Sequence, residues 1–312
     1  MASPGPTSTR EGLVLYIKGI CMGAADIIPG VSGGTIALIA GIYHQLLLAI
    51  KSFNMESIGH LFRMDLKSML SQMHIRFMLT LLAGIATAII SITRLMHYLM
   101  NHHAVLTWSL FFGLIGASIF ILSRNIKNWI GAEGFAFAIG AIIAYFLVGI
   151  IPVSTPETLW FIFFCGMIAI CAMILPGVSG AFLLLVLGKY EFVTGALKNP
   201  FNMENLLIIA VFCAGCLIGI MGFSRILSYL LSRYELTTMA LLTGLMCGAI
   251  RKIWPWKEVI ESKIIRGKVH VLAEQNVLPP QLNGEFFLAC GLAILGFIVV
   301  FTLEKVANQP ND

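Results

Sequence analysis

The stretch that decides the fold is Ala25-Asp26-Ile27-Ile28-Pro29-Gly30-Val31-Ser32-Gly33-Gly34-Thr35. It interrupts an apolar block, residues 12–50, that otherwise reads as membrane helix. Proline removes a backbone donor and breaks a helix, while glycine permits a tight reversal. Broken backbone at membrane depth is tolerated only where protein buries it or a wet cavity receives it. The block therefore predicts a re-entrant hairpin that enters the bilayer, breaks, and leaves on the side it came from. A second block, 157–197, carries the same interruption at Leu175-Pro176-Gly177-Val178-Ser179-Gly180-Ala181.

The two breaks belong to a repeat. At an offset of 147, Ala25–Tyr43 matches Ala172–Tyr190 at ten of 19 positions, including Gly41/Gly188 and Tyr43/Tyr190. At an offset of 131, Gly84–Leu114 matches Gly215–Leu245 at nine of 31, including Arg94/Arg225, Tyr98/Tyr229 and Gly113/Gly244. A bias toward Leu and Ile scatters identities; it does not reproduce Pro-Gly-Val-Ser-Gly and an arginine in the same order. Repeat one covers 12–151 and repeat two 157–304, within one membrane domain, 1–312.

Composition agrees. Charged residues are 11% of 312 and hydrophobic residues 58%, with mean hydropathy +0.91. A globular domain carries about a quarter charged residues, so this chain lacks the polar surface to face water. Apolar runs near the ~20 residues of a membrane crossing recur at 76–97, 105–122, 133–151, 204–224, 236–250 and 285–303. Each half reads as a broken hairpin plus three spans, an all-α polytopic fold. Three crossings after a re-entrant hairpin invert the second half, an arrangement recurrent in transporters. With the N-terminus cytoplasmic, Lys51, Arg63, Lys67, Arg76, Arg124, Lys127, Arg233 and Lys305 lie inside, as the positive-inside rule asks. Loop 251–284 disagrees: it carries Arg251, Lys252, Lys257, Lys263, Arg266 and Lys268 and is placed outside. Residues 1–10 lack an apolar core, so no cleaved signal peptide is expected.

The candidate chemistry follows from the breaks. Each opens a new half-helix, whose free N–H groups and positive dipole end favour an anion. Gly30, Gly33, Gly34, Gly177 and Gly180 let backbone approach a phosphate or carboxylate closely, and Ser32, Thr35 and Ser179 add hydroxyl donors. The bland alternative is a structural kink packed by small residues. Arg94 and Arg225 occupy equivalent positions near span ends. They either snorkel to the interface or clamp phosphate oxygens bidentately. Asp26 is an intramembrane acid, a candidate to carry H⁺, bind Na⁺ or pair with an arginine; its repeat partner is Met173. Lys189 and Glu191 read as a simple ion pair at the hairpin exit.

Enzyme readings fail. Gly30-x-Ser32-x-Gly34 spells a nucleophile elbow but interrupts an apolar hairpin instead of a strand–turn–helix. His102-His103 lacks a ligand cluster, Cys213-x-x-Cys216 has no second pair, and the seven cysteines all fall in apolar segments. No Walker sequence supports an ATP-driven pump. No cofactor or metal is expected.

Lys18-Gly19 with Gly23-Ala24-Ala25 and the stretch through Thr35 closely resembles the signature of a bacterial membrane family linked to translocation of undecaprenyl phosphate. Pro176 through Leu185, with Gly188-x-Tyr190-Glu191, resembles that family's second signature, and the resemblance covers nearly the whole chain. Ala181 departs from it, standing where a serine is common and removing one hydroxyl. The resemblance implies a multi-pass protein of the cytoplasmic (inner) membrane. Its partners would be undecaprenyl phosphate and membrane lipids, and no nucleic acid. It would return the lipid carrier from the outer to the cytoplasmic leaflet for envelope synthesis, with Na⁺ or H⁺ as candidate coupling ion and a homodimer as a candidate assembly. The competing reading is an ion-coupled transporter of a small anionic solute built on the same hairpins, and a third is a non-transporting scaffold.

Overall fold

The computed structural model describes residues 5–27, 32–52, 74–150, 155–265, 268–279 and 281–307. Its helices run in one order twice. The first half has α1 Thr9–Asp26, α2 Gly33–Ile39, α3 Tyr43–Lys51, α4 Ile75–His102, α5 Ala104–Ser123 and α6 Ala132–Leu147. The second has α7 Leu159–Ile174, α8 Gly180–Val186, α9 Tyr190–Lys198, α10 Met203–Arg233, α11 Glu235–Ala249 and α12 Gly284–Ala307. Among the described residues, five helices are long and apolar enough to cross a membrane, or up to seven if each bent pair is one span. The chain is a multi-pass membrane protein.

Each hairpin breaks twice, where one break was expected. In the first half α1 ends at Asp26 and α2 begins at Gly33, on either side of residues 28–31, which lie outside the described residues. In the second half α7 stops because Pro176 cannot donate, and Leu175 before it turns extended (φ −69°, ψ 127°), as residues preceding proline do. The second break bends α2 from α3 by 119° and α8 from α9 by 113°. It falls at Gly41 (φ 70°) and Gly188 (φ 64°), in the left-handed region that glycine enters without steric cost. The Gly-x-Tyr shared by the repeats is this bend.

The chain divides into two compact units, one of Met1–Arg94 with Ser154–Glu235 and the other of Leu95–Val153 with Leu236–Asp312. The division does not follow the repeat boundary: each unit takes part of both repeats. In the first unit α1 lies so close to α4 that a Cβ on Gly19 would stand 2.5 Å from the Leu81 carbonyl oxygen. In the same unit α7 lies against α10, where a Cβ on Gly166 or Gly215 would strike the Phe212 or Phe163 carbonyl. Gly19 and Gly166 differ by 147, and Gly84 and Gly215 by 131, so helix contacts recur at the offsets read from sequence. Small residues are what let membrane helices approach this closely. The outward faces are apolar, with Leu206, Leu207, Leu217 and Ile218 of α10 all exposed, as a lipid-facing helix requires.

In the second unit Gly113 of α5 packs on Ala293 of α12, and Gly244 of α11 packs on Phe137 of α6. Each repeat thus pairs a helix with one from the other repeat. Within 251–284, where a basic loop is expected, the chain forms strands instead. Strands β1 Lys257–Ile265 and β2 Lys268–Asn276 form an antiparallel hairpin, pairing from Lys257↔Asn276 to Ile265↔Lys268. Lys257 roots it: its Nζ donates to the Lys252 carbonyl (2.6 Å), lies 3.5 Å from Glu274 Oε2 and stands 4.1 Å over the Trp108 ring. Burial pushes the Lys257 ammonium down to about 8, against the opposing pull of Glu274. A depressed lysine loses its proton in the folded state first, so this group adds stability as pH rises from about 8 toward the ordinary lysine value near 10.4. Lys257→Met is expected to remove that rise in a thermal-melt series; an unchanged pH slope would contradict the assignment.

Candidate functional site

The two broken hairpins cross inside the first unit, and the crossing is built from orphaned backbone groups. A helix leaves its last carbonyls without intrahelical partners, and those at the end of α7 abut Pro176, which has no N–H to offer. Hydroxyls of the first hairpin supply the donors. Ser32 Oγ donates toward the carbonyls of Met173 (3.2 Å) and Leu175 (3.4 Å), and the Tyr43 hydroxyl donates to Ile174 (3.1 Å). In return the Gly177 N–H donates to Thr35 Oγ1 at 2.8 Å. Ser32 and Thr35 are 1% and 0% exposed, so in this conformation their hydroxyls are enclosed and serve the crossing. Gly34 sits against the same carbonyls: a Cβ there would lie 2.5 Å from the Ile174 oxygen. Among the described residues no buried side-chain nitrogen or oxygen lacks a partner.

In the sequence Tyr43 stands out only as a match to Tyr190. Its signal is its place two residues after the shared glycine, which aims it from the start of α3 back to the crossing. Tyr43→Phe leaves the Ile174 carbonyl buried and one donor short, a loss of about 1–3 kcal/mol. A thermal melt of the purified variant checks this, and a melt equal to wild type would contradict it.

Asp26 bridges the first break. Its Oδ1 accepts the Gly33 N–H at 2.7 Å, and a Cβ on Gly33 would stand 2.6 Å from Oδ2. Ser32 Oγ caps the next amide, Gly34, at 3.2 Å. The start of α2 therefore already holds an anion, the protein's own carboxylate. The second hairpin has no counterpart, because Met173 replaces the acid. Ser179 Oγ accepts only from the Phe182 N–H (3.4 Å), Ser179 is half-buried, and the Gly180 and Ala181 amides have no partner among the described residues. Gly30 lies outside the described residues.

Arg94 and Arg225 each stand eight residues before the C-terminal end of their helix (94 to 102 in α4, 225 to 233 in α10). Both are exposed, and among the described residues neither guanidinium has a hydrogen bond or ion pair. Among the described residues no contact brings either to the hairpin crossing. Lys189 does not turn to Glu191: its Nζ donates to the Thr155 carbonyl at 2.7 Å. No group of three or more metal-ligating side chains occurs among the described residues.

The model of the undecaprenyl phosphate translocase-like family matches residues 22–270, more than half the chain. The chain belongs to this family. A polyprenyl-phosphate transporter of Vibrio cholerae serotype O1 is 39% identical over 308 residues, covering 96% of this chain and 99% of the relative. A polyprenyl-phosphate transporter of Staphylococcus aureus is 28% identical, covering 94% and 96%. No solved structure matches the chain.

Proposed function

We propose that this member of the family carries undecaprenyl phosphate across the bacterial cytoplasmic membrane, from the outer to the cytoplasmic leaflet, so that the carrier is used again in envelope synthesis. The observation that carries the reading is near full-length similarity to two proteins named polyprenyl-phosphate transporters, joined to broken hairpins inside an apolar fold. A phosphate dianion cannot cross hydrocarbon unaided, whereas the prenyl tail never has to leave it. The protein's task is thus to carry a headgroup, and it needs polar groups only along one groove.

In this reading the second hairpin meets the phosphate, through the Ser179 hydroxyl and the Gly180 amide, while Asp26 occupies the equivalent place in the first. Asp26 is the candidate for a coupling H⁺ or Na⁺, since neutralising it frees the α2 amides. Centring α4 and α10 on a hydrocarbon core of about 30 Å leaves the arginines roughly 5–7 Å below the headgroup boundary. That depth suits a group that takes a phosphate from the leaflet or gives it back. Two repeats in opposite orientation would set one arginine toward each leaflet. The test is binding of purified protein to undecaprenyl phosphate, inorganic phosphate and undecaprenol. Selective retention of the lipid phosphate supports the reading; equal affinity for all three overturns it.

A further inference from the structure

Lys189 is a buried cation with no carboxylate partner among the described residues. It is 2% exposed, and among the described residues the ion pairs are those of Glu274 with Lys252 and Lys257, far along the chain. Its contacts are the Thr155 carbonyl at 2.7 Å and the face of Phe192, 5.8 Å from the ring centre. An ammonium has three donors, so two remain. Burying an unpaired charge in a low dielectric is costly, and a protein that keeps one there gains when an anion joins it.

The first hairpin repeats the arrangement. Lys18 Nζ donates to the Ala40 carbonyl at 2.7 Å, at the C-terminal end of α2. In the second hairpin the equivalent carbonyl is that of Leu187, 147 residues on, at the C-terminal end of α8. Thr155 Oγ1 donates to Leu187, and Lys189 holds Thr155. One lysine therefore stands at the outer end of each half-helix, directly in the first hairpin and through Thr155 in the second. Each half-helix has seven residues, which puts its lysine end roughly 10 Å from the crossing. Among the described residues Lys18 has no carboxylate partner either. Of the two acids in α1, Glu11 accepts from the N–H and hydroxyl of Thr7, and Asp26 faces the other end of α2, where it holds Gly33.

We propose that Lys18 and Lys189 are two successive counter-charges for the lipid phosphate, one at the outer end of each re-entrant half-helix. This rests on the lipid-phosphate reading and deepens it: the headgroup passes between two ammonium stations and is not held in one pocket. The carbonyl contacts aim each ammonium, and the spare donors take phosphate oxygens when the headgroup arrives.

The test compares affinity for undecaprenyl phosphate with affinity for undecaprenol, in lipid nanodiscs, for wild type, Lys189→Met, Lys189→Arg and Lys18→Met. A lysine that merely props the bend would change both affinities together. A counter-charge sets the preference for phosphate over alcohol. Each methionine variant is expected to lose at least ten-fold of that preference, while Lys189→Arg keeps most of it. An unchanged preference in the methionine variants overturns the inference. Should Lys189→Met fail to fold, the ¹⁵Nζ resonance of Lys189 in wild type, assigned by its loss in Lys189→Arg, gives a second readout. It is expected to shift with undecaprenyl phosphate and not with undecaprenol; a resonance that ignores the phosphate overturns the inference. A wild type that binds both lipids equally overturns the substrate reading itself, whereas a wild-type preference that survives both methionine variants overturns the lysine assignment alone.

Discussion

Gly34→Ala is expected to be among the most damaging single changes in this chain. The new methyl would stand 2.5 Å from the Ile174 oxygen and 2.9 Å from that of Met173, and both are backbone atoms that cannot rotate aside. Overpacking costs about 1–3 kcal/mol where side chains can give way. Here the obstacle is the braced end of α7, so the upper end applies, on the order of a 10 °C fall in melting temperature for a chain of this size. The same substitution also pries apart Ser32, Thr35 and Tyr43 from their partners. Gly222→Ala in α10 is the control, since nothing lies within 4 Å of a Cβ there. Thermal denaturation of both variants in detergent decides it: equal melting of Gly34→Ala and Gly222→Ala would mean that the hairpins do not cross as described.

The second large effect is functional. Arg94→Ala and Arg225→Ala remove guanidinium groups that make no hydrogen bond or ion pair among the described residues, so both variants should fold and melt like wild type. Charge-assisted hydrogen bonds contribute about 1.5–3 kcal/mol each, so each variant should bind undecaprenyl phosphate roughly 10- to 100-fold more weakly. Lysine at either position should recover only part of the loss, because an ammonium cannot form the two-pronged contact. Titration of the lipid phosphate into each purified variant measures this. Wild-type affinity in both would assign the arginines to snorkelling.

Much of the fold was legible because a few residue types leave little choice. Pro176 and Gly177 in an apolar run must break a helix, and a chain with so few charges must lie in lipid. The second bend at Gly41 and Gly188 was visible as shared letters but not as geometry, because a positive φ is a property of the backbone that surrounds a glycine. The β-hairpin was hidden by its charges: Lys257–Ile265 and Lys268–Asn276 are rich in Val and Ile around Arg266-Gly267, a hairpin pattern read as a basic loop. The crossing was out of reach. Ser32 and Leu175 are 143 residues apart, and nothing local says that one hairpin's hydroxyls complete the other's carbonyls. Lys189 and Glu191 were paired by proximity in sequence, yet residues two apart at a helix start do not face each other. The same limit separates the serines. Ser32 and Ser179 are identical letters in the repeat, but one is enclosed by the crossing and the other, among the described residues, caps its own helix.

Transport itself is the most direct test. Undecaprenyl phosphate placed in one leaflet of a proteoliposome can be followed as it becomes accessible on the other side, with the full chain, with the Arg94→Ala/Arg225→Ala double variant, and with empty vesicles. Rapid exchange by the wild-type chain, abolished in the folded double variant, is the predicted result. Exchange no faster than in empty vesicles, from protein that melts normally, would contradict the account.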